Sequence, residues 1–147
     1  MSDMKKLVAF IMIIMLVPVV ASGQASDPLV GKCVMNAGPN ATYLKDFRIQ
    51  LGKALSAQDF RYKQVFALSK NMKYRFTLCN SENSQGELIM KLVDDTGRTI
   101  LTSFDPKTGK TFSSIEFVCN KTGTYKIMFD FKDFQQGLGV GVVSLVK

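Results

Sequence analysis

The chain has 147 residues, a formal net charge of +7 and no histidine. This length suits one domain with one hydrophobic core. Without histidine, the chain has no imidazole for general base catalysis or for zinc binding. The positive charge favours acidic partners such as anionic glycans or envelope surfaces. Nucleic acid is not expected, because no compact basic run is interleaved with aromatic residues.

The first 25 residues have the pattern of a cleavable secretory signal. Lys5 and Lys6 precede an apolar run over 7–20, and the small residues of "ASGQASD" follow. This order predicts cleavage after Gly23 or Ala25. As a helix the run would span roughly 21 Å, too short for a hydrocarbon core of ~30 Å. We therefore expect a secreted or periplasmic protein with no transmembrane segment after cleavage.

The rest of the chain is predicted to be an N-terminal extension over 26–42 and a β domain over 43–147. "YRFTL" and "YKIMFDF" alternate apolar and polar residues, whereas "ELIMKLV" is typical of a strand covered on both faces. Turn signals such as "DDTG" and "NKTG" separate the runs. The predicted strands are 46–52, 62–68, 72–79, 87–94, 98–104, 111–118, 124–132 and 139–146. Eight short strands indicate an all-β fold, an antiparallel β-sandwich or jelly roll.

The alternation also assigns the two faces of the central strands. The residues expected in the core are Tyr74, Phe76, Leu78, Leu88, Met90, Leu92, Phe117, Tyr125, Ile127 and Phe129. The cations expected to point outward are Lys73, Arg75, Lys91, Lys126 and Lys132. If strands 72–79, 87–94 and 124–132 share one sheet, these cations form a basic face for an anionic glycan or envelope component. The alternative is that they are solvated charges that keep strand edges from pairing.

A family resemblance covers roughly residues 43–146. "KYRFTLCNSENSQGELIMKLVDDTGRTI" and "FVCNKTGTYKIMFDF" resemble small secreted bacterial β-sandwich domains of the pre-peptidase C-terminal type, and short exported Bacteroidetes-type proteins of unknown function. The resemblance implies a secreted sandwich domain that accompanies proteases. Domains of this type often carry calcium-binding loop carboxylates, and the matching "NSENSQGE" has only Glu82 and Glu87.

The acidic residues predict no catalytic pair. Asp94 and Asp95 are adjacent, so on a strand end their side chains point to opposite faces. Asp130 and Asp133 flank a strand end, where acidic residues usually form turns. Asp94, Asp95 and Glu87 could contribute to a calcium site, but such a site needs six to eight oxygen ligands and the sequence has no EF-hand-like spacing. "GLGVG" at 137–141 lacks the following helix and Lys-Ser/Thr pair of a phosphate loop, so we interpret it as the entry to the last strand. No enzyme activity, cofactor or metal is predicted.

The three cysteines are Cys33, Cys79 and Cys119. An exported chain meets an oxidising compartment, where thiols pair, and three thiols allow three alternative bridges. Cys79 and Cys119 both lie at the ends of predicted core strands, beside asparagine-containing turns. We predict that these two form a disulfide, with Cys33 free or paired with another chain.

Two functions remain open from the sequence. The first is an exported, non-catalytic binding or adhesion module of the cell envelope. The alternative is an accessory or inhibitory domain that acts on a secreted enzyme such as a protease. Tyr43, Phe47, Phe60 and Tyr62 could form an aromatic platform for a glycan, or could simply fill the core.

Overall fold

The structure is a computed structural model that describes residues 27–56 and 59–147. The predicted signal peptide lies outside the described residues. The elements in chain order are helix α1 (Pro28–Asn36) and strands β1 (Ala41–Leu51), β2 (Tyr62–Leu68), β3 (Lys73–Asn80), β4 (Leu88–Val93), β5 (Thr99–Thr102), β6 (Phe104–Asp105), β7 (Lys110–Thr111), β8 (Ser114–Val118), β9 (Gly123–Phe131) and β10 (Gly137–Val146). A single 3₁₀ turn, Lys132–Phe134, joins β9 to β10. Within the described ranges, no helix is long and apolar enough to cross a membrane.

The described strands form two four-stranded antiparallel sheets and a small hairpin. Sheet A has the order β1-β10-β3-β8, and sheet B has the order β2-β9-β4-β5. Strands β6 and β7 pair with each other through Phe104 and Thr111. The all-β antiparallel prediction is confirmed. Predicted strand 98–104 is shorter in the structure, and 111–118 is divided between β7 and β8, because residues 104–111 fold back as the hairpin.

The core lies where side chains of the two sheets meet. The predicted core residues all belong to one apolar cluster, with Phe117 partly buried at its margin. Phe47 of sheet A and Phe129 of sheet B have ring centroids 5.5 Å apart. Phe76 and Ile127 are each 1% exposed. The period-two alternation of the sequence therefore assigned the inner faces of β3, β4 and β9 correctly.

The glycines of "GLGVG" lie in the first half of β10, as the sequence predicted. A β-carbon added at Gly141 would come within 2.5 Å of the Phe129 ring, and one at Gly139 within 2.9 Å of the Cys79 carbonyl oxygen. Such distances are far below ordinary contact. The glycines therefore allow core side chains and neighbouring backbone to lie directly against this strand.

Helix α1 was not predicted and covers part of the outer face of sheet A. The Asp27 carboxylate accepts a hydrogen bond from the Leu29 backbone N–H (2.9 Å), and Pro28 occupies the first turn. This is the usual start of a helix. Its buried residue, Cys33, packs against Val140 and Val142 of β10.

The disulfide joins Cys33 to Cys79, with α-carbons 5.7 Å apart, and Cys119 is a buried free thiol. The predicted Cys79–Cys119 bridge is therefore wrong. Antiparallel pairing sets Val118 opposite Lys73, so Cys119 lies beside Met72 at the start of β3. Cys79 is seven residues beyond Met72 along the chain, roughly 23 Å away. The C-terminal ends of two neighbouring antiparallel strands point in opposite directions. Cysteines at the C-terminal ends of β3 and β8 are therefore separated by the length of the strands and cannot form a disulfide.

Candidate functional site

The basic face predicted from the sequence is not assembled. Its premise was that strands 72–79, 87–94 and 124–132 share one sheet. The structure instead places β3 in sheet A and places β4 and β9 in sheet B. Lys73 and Arg75 therefore point away from one sheet, while Lys91 and Lys126 point away from the other. The faces of the single strands were predicted correctly, but the combined surface was wrong.

The cations of sheet A are paired with a carboxylate. Lys73 Nζ lies 2.9 Å from Glu116 Oε2, and Arg75 Nη2 lies 2.6 Å from Glu116 Oε1. Hydrogen bonds from Arg75 and then Lys73 hold the pKa of Glu116 below its ordinary value. Arg75 also donates to the Ala37 carbonyl oxygen at the end of α1. Lys73 and Arg75 thus connect β3 to β8 through Glu116, and Arg75 also connects β3 to the end of α1.

Of the predicted cations on or next to sheet B, Lys91 and Lys132 contact other side chains. Lys91 Nζ lies 2.7 Å from Asp59 Oδ1 and 5.1 Å from the centre of the Phe60 ring. Lys132 lies over the Phe104 ring, with Nζ 5.2 Å from its centre. Lys126 lies on β9 between Val65 of β2 and Val93 of β4. It is exposed and has no ion-pair partner among the described residues.

The surface carboxylates mostly stabilise turns. Asp94 Oδ1 accepts hydrogen bonds from the backbone N–H groups of Thr96 (3.0 Å) and Arg98 (2.9 Å), which confirms its predicted role as a turn former. Glu87 accepts a hydrogen bond from the Thr111 hydroxyl. Across residues 27–56 and 59–147, no three carboxylates or thiols lie close enough together to hold a metal ion.

Asp130 has a structural role that the sequence did not specify. Its side chain lies on the outer side of β9 and is 1% exposed. The carboxylate accepts hydrogen bonds from three groups of Arg61: the backbone N–H (3.0 Å), Nε (3.1 Å) and Nη2 (2.9 Å). The predicted turn role was wrong for this residue. Arg61 and Asp130 instead attach the segment before β2 to sheet B.

A cleft opens where two turns meet at one end of the sheets. We call it the end cleft: a cavity of about 170 Å³ between the turn over 94–98 and the turn over 120–123. It adjoins a wider depression on the outer face of sheet B beside Val65 and Lys126. The lining residues of the end cleft are Asp94, Asp95, Thr96, Arg98, Ile100, Phe117, Asn120, Lys121, Thr122, Gly123, Thr124 and Tyr125.

Tyr125 lines the inner wall of the end cleft, and the buried Cys119 thiol lies behind its hydroxyl group. The Tyr125 hydroxyl donates to the Lys121 carbonyl oxygen and lies 3.6 Å from Cys119 Sγ. The Cys119 thiol donates to the same carbonyl (3.2 Å). The hydrogen bond to Cys119, followed by burial, raises the pKa of Tyr125 to about 12. Because Cys119 is 1% exposed, its sulfur is a packing group here and is shielded from a ligand.

The cleft offers hydrogen-bonding groups around an apolar wall. Phe117 and Tyr125 pack edge to face, with ring centroids 6.2 Å apart. Asp95, Asn120 and Thr124 make no side-chain hydrogen bond to any other described residue, so they can bond to a ligand. In the sequence, "DDTG" and "NKTG" are recognisable only as turns, because nothing local in either segment shows that the two turns meet.

The aromatic platform suggested by the sequence is also dispersed. Phe47 is 2% exposed, and Tyr62 packs against the core. Tyr43 remains 46% exposed on β1, and Phe60 lies against Lys91. These aromatic side chains do not form one surface.

No protein-family model and no curated protein matches the chain. Among solved structures, it is similar to the SPBc2 prophage-derived protein YomS. That similarity has a TM-score of 0.34 and 15% sequence identity, and it covers 69% of this chain and 93% of that one.

Proposed function

We propose that the protein is an exported, non-catalytic binding module of the cell envelope, with the end cleft as its ligand site. The two sheets would pack as a jelly-roll sandwich. Supporting this, omission of the β6–β7 hairpin leaves eight strands in the order first-eighth-third-sixth and second-seventh-fourth-fifth. A jelly roll contains eight strands in two packed sheets. The resemblance to pre-peptidase C-terminal domains is part of this proposal.

The observation that carries the binding role is the composition of the end cleft. Pockets that bind small ligands combine an apolar wall with a few placed polar groups. Here Phe117 and Ile100 supply the wall, and Asp95 and Asn120 supply polar groups at its rim. The remaining acidic group of the cleft, Asp94, is held by its own turn. This arrangement suits binding rather than bond cleavage.

Export is supported by the disulfide and by the predicted signal. Disulfides persist mainly in oxidising compartments. The Cys33–Cys79 bridge joins the helix nearest the predicted cleavage site to the centre of sheet A. A thiol pair in this position would be oxidised once the chain leaves the cytoplasm.

An affinity capture from the native envelope tests the proposed function. The bait is the mature chain, and the cleft variant is Asp95→Ala with Asn120→Ala. A matched control, Glu82→Ala with Asn83→Ala, removes the same kinds of group at the opposite end of β3. We expect the parent and the control to retain one envelope glycan, lipid or peptide that the cleft variant loses.

Two outcomes count against this function. Capture of one dominant secreted enzyme, with inhibition or activation of that enzyme, would establish the accessory-domain alternative instead. Equal recovery of every component by the parent and the cleft variant would show that the cleft is not a binding site.

A further inference from the structure

We infer that the end cleft binds the ring of a neutral saccharide. This inference rests on the proposed binding function and specifies its ligand. It follows from three features of the cleft: its volume, its aromatic wall and the balance of its charges.

The volume of the end cleft matches one six-membered ring. A cavity of about 150 Å³ in another protein is large enough to bind benzene. The end cleft encloses about 170 Å³, so a single pyranose ring fits with part of its edge in solvent. A longer chain would continue into the adjoining depression, which is lined by Val65, Val93 and Lys126 among others.

The wall and the rim have complementary chemistry. One face of a pyranose is made of C–H groups, and these pack well on apolar and aromatic side chains such as Ile100 and Phe117. The ring hydroxyls point outward and both donate and accept hydrogen bonds. Asp95 accepts, whereas Asn120 and Thr124 each donate and accept. These three side chains stand at the rim of the same cavity.

The balance of charge selects a neutral ligand. The lining contains two carboxylates, Asp94 and Asp95, and two cations, Arg98 and Lys121. Arg98 Nε is 3.8 Å from Asp94 Oδ2, so this pair already compensates in part. A phosphate or a sugar acid would gain one cation but would face the carboxylate of Asp95, which has no ion-pair partner among residues 27–56 and 59–147, and like charges at short range repel. The anionic glycan suggested by net charge alone is therefore disfavoured at this site.

The test is a titration followed by backbone amide chemical shifts in nuclear magnetic resonance. The ligands are the methyl glycosides of glucose, galactose and mannose, and N-acetylglucosamine. Glucuronate and glucose 6-phosphate are the charged comparisons. We expect at least one neutral pyranoside to shift the amides over 94–98 and 120–125 with Kd on the order of 1 mM, as is usual for a single small ring.

Two double variants locate the binding. Asp95→Ala with Asn120→Ala should weaken binding about tenfold or more, because two hydrogen bonds to the ligand are lost. The control Glu82→Ala with Asn83→Ala should leave Kd unchanged. Urea unfolding of both variants shows whether either one is poorly folded, and single Asp95→Asn replaces the double variant if it is.

The saccharide inference is overturned if no neutral pyranoside moves these amides at concentrations on the order of 10 mM, or if only the charged sugars do. It is equally overturned if the cleft variant binds as the parent does. If envelope capture still depends on Asp95 and Asn120 in those cases, the binding function stands with another ligand. If that dependence is lost as well, both proposals fail.

Discussion

The carboxylate of Asp130 is buried in contact with the Arg61 side chain, so removing this carboxylate should lower the stability of the fold. The side chain of Asp130 is 1% exposed, and that of Arg61 is 21% exposed. Removing one partner of a buried ion pair leaves the other uncompensated, at a typical cost of 3–5 kcal/mol. We expect Asp130→Ala to lower the free energy of unfolding by about 3 kcal/mol or more, as measured in urea.

Asp95→Ala is the matched control for this substitution, because Asp95 is exposed and makes no ion pair among the described residues. Its effect should stay within about 0.5 kcal/mol, the usual range for surface sites. A comparable loss in both variants would mean that the Arg61–Asp130 pair does not stabilise the fold.

The Tyr125 phenol should make stability depend on alkaline pH. Its pKa is raised from 10.0 to about 12 by the hydrogen bond to Cys119 and by burial. The folded state therefore holds this proton more tightly than the unfolded state. The resulting stabilisation is complete below pH 10 and is lost as the pH rises towards 12.

Urea unfolding of the parent and of Tyr125→Phe at a series of pH values measures this contribution. The difference between their free energies of unfolding should be constant at neutral pH and should shrink above pH 10. A difference that stays constant up to pH 12 would show that Tyr125 ionises normally in the folded chain.

Strand β10 depends on glycine where core rings cross it. Alanine at Gly141 would place its β-carbon 2.5 Å from Phe129 Cε1, whereas a β-carbon at Gly123 in β9 meets nothing within 4 Å. Overpacking a core costs typically 1–3 kcal/mol. We expect Gly141→Ala to destabilise the protein by about that amount and Gly123→Ala to be nearly neutral. Equal effects in a thermal unfolding comparison would contradict the close packing.

Helix α1 should depend on its disulfide. The bridge closes a loop with a sequence separation of 46, which the chain-entropy model values at about 4 kcal/mol. Non-reducing peptide mapping should recover a peptide linking Cys33 to Cys79 and a free Cys119 thiol. Reduction should lower the free energy of unfolding of the parent but not that of Cys33→Ala with Cys79→Ala. A linked Cys79–Cys119 peptide would contradict the structure.

At the scale of the helix and strands, short sequence segments predict which residues form a strand and which of its faces is buried, but not which strands pair. Alternation in "YRFTL" and "YKIMFDF" identified the strands and the buried face of each, because side-chain direction depends only on position within a strand. The start of α1 was also present in the sequence, as Asp27 followed by Pro28, but the short segment was not interpreted as a helix. The bridge, the basic face and the end cleft depend on which strands are neighbours. That pairing joins residues far apart in sequence, so the composition of one segment does not reveal it.

At the scale of the molecule, the two sheets divide the positive charge. Glu116 compensates Lys73 and Arg75 on one sheet, and Asp59 compensates Lys91 on the other. The net positive charge therefore contributes only a general attraction to acidic surfaces. That attraction is screened over ~8 Å at physiological ionic strength. It does not define a binding site. The end cleft, where two carboxylates face two cations, is instead the binding site that we propose.

Export is the last property that the whole chain should show. The sequence predicts removal of residues 1–25, and cleavage after Ala25 would leave Ser26 directly before Asp27, which caps α1. N-terminal sequencing of protein from the periplasm or medium should begin near Gln24 or Ser26. Ile13→Arg with Ile14→Arg interrupts the apolar run, so this variant should stay in the cytoplasm, uncleaved and with reduced Cys33 and Cys79. If the parent retains residues 7–20 in the envelope fraction, the segment is an anchor rather than a cleaved signal.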